Sequence, residues 1–170
     1  MQLFAKEQSS RLDYVKNNGQ WENPVLYKAD LKGGWVFLQK NELTYLFIED
    51  VHKHAHDIHA AKYIEKDGNK IPNPAYKTGV NNTIIKGHAY SVKWINSNKD
   101  VTINNEEKQD YVNNYFIGNN PSKWQENVGC YHSIQYKNIY NFIDAKLYSE
   151  DISMKTDYSI HPNGNPSDIK

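Results

Sequence analysis

The sequence predicts an all-β chain, built as an antiparallel sandwich or a strongly curved sheet with long loops and little helix. Three observations lead there. Much of the apolar bulk is aromatic, with 13 tyrosines and 4 tryptophans in 170 residues, and such side chains favour strands. Short apolar segments alternate with turn formers rather than recurring at helical spacing. Asparagine is abundant and often doubled, as at Asn17-Asn18, Asn104-Asn105, Asn113-Asn114 and Asn119-Asn120, a composition that supplies turns.

The elements follow in order. Pro24 opens VLYKAD, Gly33-Gly34 separates it from WVFLQK, and Asn41 separates that from LTYLFIE, which predicts a meander. In the second and third segments both alternating sets are apolar: Trp35 and Phe37 against Val36 and Leu38, then Leu43, Tyr45 and Phe47 against Leu46 and Ile48. That pattern predicts strands buried on both faces. Residues 50–86 carry the histidines and then a stretch rich in turn formers, a long excursion from the sheet. GHAYSVKW predicts a half-buried strand with His88, Tyr90, Val92 and Trp94 on one face. Residues 102–110 are polar and charged and read as a surface loop. YVNNYFIGNNPSKW is an aromatic segment followed by an Asn-Asn-Pro turn. CYHSIQY, NFIDAKLY and MKTDYSI read as three closing strands, connected around residues 138–141 and 150–153.

Composition sets the outer limits. A chain of 170 residues is one domain with room for a real core. Acidic and basic residues balance at 20 each, so no long-range field draws the chain to nucleic acid or an anionic membrane. No stretch is long and apolar enough for a membrane-spanning helix. Met1 to Ala5 reads as the tail of a signal-peptide apolar region ending at a small residue, or alternatively as a short apolar strand start. Residues 6–170 then form the β-rich domain. PNGNPSDIK reads as a turn leading into a strand that begins at Ile169, so the domain is expected to continue past residue 170.

No reaction signature is present: no nucleophile elbow, no His-Glu-x-x-His pair, no phosphate loop and no EF-hand. Four histidines, His52, His54, His56 and His59, crowd one short segment. In a strand the first three share a face, and three imidazoles can hold zinc or copper. A metal site also needs a rigid frame, and this run borders the turn-rich excursion. The reading adopted is a surface segment with no tightly held metal, and no cofactor. Cys130 is the single cysteine, which excludes an internal disulfide and multi-cysteine zinc motifs. His132 lies two residues on, on the same strand face, but an ordinary semi-buried cysteine is the simpler reading. Asp144 and Asp157 fall on neighbouring strands, where a glycosidase would place paired carboxyls; any all-β chain offers such pairs. Trp21, Trp35, Trp94 and Trp124 are candidates for a sugar-stacking platform. Trp35 and Trp94 lie in alternating strands and suit core packing, whereas Trp21 and Trp124 follow turn residues and are the ligand-binding candidates.

Read in order, NNGQWENPVLYKADLKGGWVFLQKNELTYLF, GHAYSVKW, NNYFIGNNPSKW, YHSIQYKNIYNFIDAKLY and TDYSIHPNGNPSDI resemble a bacterial family of N-terminal domains of unknown function. Such domains stand at the front of large secreted proteins, especially in Bacteroidetes, ahead of repeat or Ig-like modules and a gliding-motility-associated or sorting domain. The resemblance runs from about Leu12 to the end. Cys130 and the short final strand MKTDYSI depart from the pattern. The resemblance implies export through the type IX secretion system and no established enzyme activity. Two function readings follow. One is a non-catalytic extracellular module (adhesion, spacer or interaction unit) whose partners are downstream domains, an extracellular glycan or a surface protein. The other is a glycan- or peptide-binding or hydrolytic module, or a His-loop metal binder. A filled core favours the first, and a concave pocket at Trp21 or Trp124 with converging carboxylates favours the second.

Overall fold

The computed structural model describes residues 11–48, 63–66, 69–72, 86–151 and 153–170. Its strands are β1 (Tyr14–Lys16), β2 (Tyr27–Leu31), β3 (Gly34–Leu38), β4 (Glu42–Ile48), β5 (Tyr63–Lys66), β6 (Asn69–Pro72), β7 (Gly87–Lys93), β8 (Thr102–Tyr115), β9 (Gln125–Tyr140), β10 (Ile143–Glu150) and β11 (Ser153–Ile160). The only helical pieces among the described residues are single 3-10 turns at Pro121–Lys123 and Pro166–Asp168. The all-β, helix-poor reading therefore holds.

Nine strands form one antiparallel sheet in the order β11-β10-β9-β1-β2-β3-β4-β7, with β8 also on β9. β5 and β6 pair with each other as a separate hairpin. β9 is the spine. β8 runs along one of its edges, while β1 (at Cys130 and Tyr131) and β10 (from Ser133 to Tyr140) take successive stretches of the other. The sheet therefore divides at β9 into two wings, which curl toward each other over a shared core. Tyr14, Val36 and Leu38 of one wing and Ile134, Ile139 and Leu147 of the other are fully buried in that core. Trp94, just after β7, closes the curl: its indole N–H donates to Tyr158 Oη on β11 at 2.7 Å, and its ring packs on Tyr136. Burying large rings whose polar tips find partners is how aromatic strands fill a core.

The meander is where the sequence places it, and its register shows which face is inside. One row of directly opposed residues crosses six strands: Tyr131, Tyr14, Ala29, Val36, Tyr45 and Tyr90. Gly34 is required by close approach, because a Cβ there would lie 2.0 Å from the Leu46 carbonyl oxygen.

Three expectations are corrected. β3 and β4 are not buried on both faces; β3 alternates buried with half-buried residues, and Trp35 is half-buried beneath the Lys28 side chain rather than in the core. Residues 102–110 are not a loop but the first part of β8, because the backbone pairs with β9 while the charged side chains stay in water. β7 is exposed along its whole length; of the face read from alternation, only Trp94 is buried. Ile169 follows the 3-10 turn and packs against the main core, and Lys170 O accepts from Ile95 N and from Tyr140 Oη at 2.9 Å each.

Candidate functional site

The segment from Asn17 to Pro24 leaves β1 and must reverse to start β2. Asn17 organises the reversal. Its Nδ2 donates to Trp21 O at 2.9 Å and Val25 O at 2.7 Å, and its Oδ1 accepts from Gly19 N at 2.9 Å and Trp21 N at 3.2 Å. A side-chain amide standing in for backbone partners is the usual chemistry of asparagine turns. Gly19 adopts φ +116°, a conformation costly for any side chain with a Cβ. Gln20 ties the loop from outside, accepting from Asn18 N and donating to Lys16 O at 2.6 Å. The peptide bond before Pro24 is cis. The loop is thus internally bonded, and it holds Trp21 half-buried at its crest.

Trp21 meets the Tyr115 ring edge-on at 5.3 Å, over a second small core of Val15, Val128 and Cys130. Lys28 Nζ lies 5.6 Å from the Trp21 ring and 5.1 Å from Trp35, and pairs with Asp30 at 3.1 Å. Two open clefts flank the indole. One, of about 510 Å³, runs between the loop and Ile117; the other, of about 440 Å³, runs over Phe37 and Thr44. Both take polar lining from Gln20 and Glu22.

The β8–β9 tip stands beside this loop. Asn120 caps the 3-10 turn there, its Oδ1 accepting from Ser122 N at 3.0 Å and Ser122 Oγ at 2.8 Å. Trp124 folds back so that its indole N–H donates to Gly118 O at 3.2 Å, and its ring meets Phe116 edge-on at 5.3 Å. Phe116, Ile117 and Trp124 are 55%, 54% and 39% exposed. Tyr115, Phe116 and Ile117 therefore connect the surroundings of Trp21 to Trp124. The two tryptophans lie at one end of the molecule but do not form a single stacked platform. Phe116 and Ile117 were missed as site residues; the available signal was an aromatic-aliphatic run placed directly before a Gly-Asn-Asn-Pro turn.

The other candidates are placed as follows. His52, His54, His56 and His59 lie outside the described residues. Among the described residues no three His, Cys, Asp or Glu side chains come together as a metal site. Cys130 is fully buried. Burial first, and then the Asp13 carboxylate, push its thiol up to about 11, the reverse of what a nucleophilic thiolate requires. His132 lies against Asp13 at 3.3 Å, and Asp13 also accepts from Tyr111 Oη at 2.6 Å. Asp144 and Asp157 share a sheet face but do not converge on an open space. Asp144 is held by Lys137 Nζ at 2.8 Å, Asn138 N at 2.7 Å and His161 Nε2 at 3.1 Å, while Asp157 accepts from Tyr148 Oη at 3.1 Å. No helix among the described residues is long and apolar enough to cross a membrane.

A family profile described as a domain of unknown function, DUF7948, matches residues 14–170. No curated protein and no solved structure matches the chain.

Proposed function

The chain belongs to the DUF7948 family of domains of unknown function, and we propose that it is a non-catalytic interaction module of a larger secreted or cell-surface protein. The observation that carries this reading is the gathering of Trp21, Phe116, Ile117 and Trp124 at one end, on segments held by their own asparagine hydrogen bonds. Exposed aromatic and aliphatic side chains on a pre-organised frame are what a recognition surface needs. Asp144 and Asp157, the pair a hydrolytic reading would use, are each engaged by neighbours. Export by a Bacteroidetes type IX route, with further modules downstream, belongs to the same proposal and is supported by the ordered sequence resemblance. No cofactor is proposed.

A glycan is the ligand class favoured by one specific feature: Trp21 standing beside a cleft of about 510 Å³ with Gln20, Glu22 and Asn23 on its rim. An aromatic face with neighbouring amide and carboxylate groups matches the alternating C–H and O–H surfaces of a sugar. The test is retention of the purified chain on a panel of insoluble and immobilised polysaccharides, with reducing ends assayed in the supernatant. We expect retention without new reducing ends, weakened about tenfold or more by Trp21→Ala and Trp124→Ala. Release of reducing ends would replace the reading with a hydrolytic one. Retention indifferent to both substitutions would move the binding surface elsewhere.

A further inference from the structure

The core-facing row described above ends in solvent. Tyr131, Tyr14, Ala29 and Val36 are buried at 8%, 0%, 1% and 0% exposure, yet Tyr90, the last member, is 44% exposed and its neighbour Val92 is 46% exposed. Tyr90 stacks on Tyr45 at 4.9 Å and faces Phe47 at 6.3 Å, with His88 at 5.9 Å. The inner face of the sheet therefore continues past its core as an aromatic strip along β4 and β7. Among the described residues nothing pairs with the far side of β7.

The direction of the free groups follows from one bond. Trp94 N donates to Asn41 O at 3.1 Å, so by alternation Val92, Tyr90 and His88 also point their N–H groups toward β4. Ala89, Ser91 and Lys93 point theirs outward, where a further strand would lie. The other two edges carry the usual deterrents to pairing. β8 has Glu106, Glu107, Lys108 and Asp110 and two register shifts. β11 has Lys155 and Asp157 along its middle. β7 has no proline and no register shift, and its one charged residue, Lys93, stands at the end and pairs with Glu42 at 3.2 Å.

We propose that β7 is a self-association edge, on which a second copy of this chain docks its own β7 antiparallel about a two-fold axis at Tyr90. The strand is complementary to itself in that register. Tyr90 faces Tyr90 of the second copy, His88 faces Val92, Ala89 faces Ser91, and the long Lys93 faces Gly87. No like charges oppose each other, and the chain's formal net charge of zero leaves no long-range repulsion between copies. All seven residues of β7 pair, the outward groups of Ala89 and Ser91 bond to each other in both directions, and the two aromatic strips join into one face. An isologous contact of this kind closes after two copies. The self-association edge uses none of Trp21, Phe116, Ile117 or Trp124, so failure of one proposal leaves the other standing.

The test uses the full chain in sedimentation velocity over a concentration series, together with cysteine trapping. Residues facing each other in a non-hydrogen-bonded pair have Cβ atoms about 4.5–5.5 Å apart, close to disulfide distance. Tyr90→Cys should therefore yield a covalent dimer under mild oxidation, and Val92→Cys, which lies off the axis, should not. The native Cys130 is buried and stays silent. Ser91→Pro removes an outward N–H and no backbone bond to β4, together with the 3.2 Å contact between the Ser91 and Thr44 hydroxyls; it loses two intermolecular hydrogen bonds by symmetry and should weaken the dimer by about tenfold or more. A chain that remains monomeric up to its solubility limit overturns the proposal. So does Val92→Cys trapping as readily as Tyr90→Cys, which would indicate a different register. If Ser91→Pro fails to fold, the trapping pair still decides.

Discussion

Asp144 shows how a single carboxylate secures the junction of β9 and β10. Burial alone would raise its carboxyl pKa, but Lys137, the Asn138 amide and His161 outweigh burial and hold it below the usual carboxylate range. It fastens a turn in which Asn138 and Phe142 both adopt positive φ, 57° and 60°. A depressed carboxyl stabilises the fold fully above the unfolded pKa of about 3.9 and loses that contribution as pH falls through its folded value. Asp144→Asn is therefore expected to cost about 2 kcal/mol near neutrality. In urea melts the gap between variant and parent should stay constant above about pH 5 and close below about pH 4. A gap that is the same at low pH would assign the loss to packing rather than charge. At this scale the sequence was informative about turns and poor about sites. Asn96, Asn127, Asn138 and Asn163 all take positive φ, as expected of asparagine. Trp21 and Trp124 were legible because turn residues precede them. The partnership of Tyr111, Asp13 and His132 was not, since it joins residues about a hundred positions apart.

Among the elements, β2, β3, β4, β10 and β11 were legible because apolar residues alternate between turn formers. β8 was not. Its charged first half looks like a loop because a strand at an edge of β9 needs little apolar surface; cross-strand bonds and ion pairs such as Lys146 with Glu106 at 3.1 Å suffice. β7 misled in the opposite sense, since its alternating aromatic pattern signals burial that the fold does not provide. The β3–β4 hairpin sets the sharpest limit on substitution. With Leu46 O only 2.0 Å from where a Cβ at residue 34 would stand, Gly34→Ala must force the two backbones apart. Overpacking of this kind costs about 1–3 kcal/mol, and more when only backbone can move. A loss of at least about 3 kcal/mol is expected in chemical denaturation, whereas Gly33→Ala, with open space around its Cβ but φ +84°, should cost less. Equal losses at the two positions would mean that conformation, not crowding, governs the hairpin.

At the scale of the whole molecule, one curled sheet encloses its core between two wings, and among the described residues two surfaces stand out: the aromatic end around Trp21 and Trp124, and the outer edge of β7, which no described strand pairs. Strong curvature was one of two architectures open to the sequence. What alternation cannot convey is that β9 serves two neighbours along one edge, because that division depends on where β1 ends and β10 begins. The core is most complete at β9 and β10, where Ile134, Tyr136, Ala145 and Leu147 are fully buried, and it thins toward β7. Residue-resolved amide hydrogen exchange in dilute solution tests this gradient and the open edge together. Amides of β9 and β10 should exchange slowest. Along β7, His88, Tyr90 and Val92 should be protected by their bonds to β4, while Ala89, Ser91 and Lys93 exchange at nearly unprotected rates. Protection of Ala89, Ser91 and Lys93 equal to that of Tyr90 in the dilute monomer would contradict it, by showing that the edge is already covered.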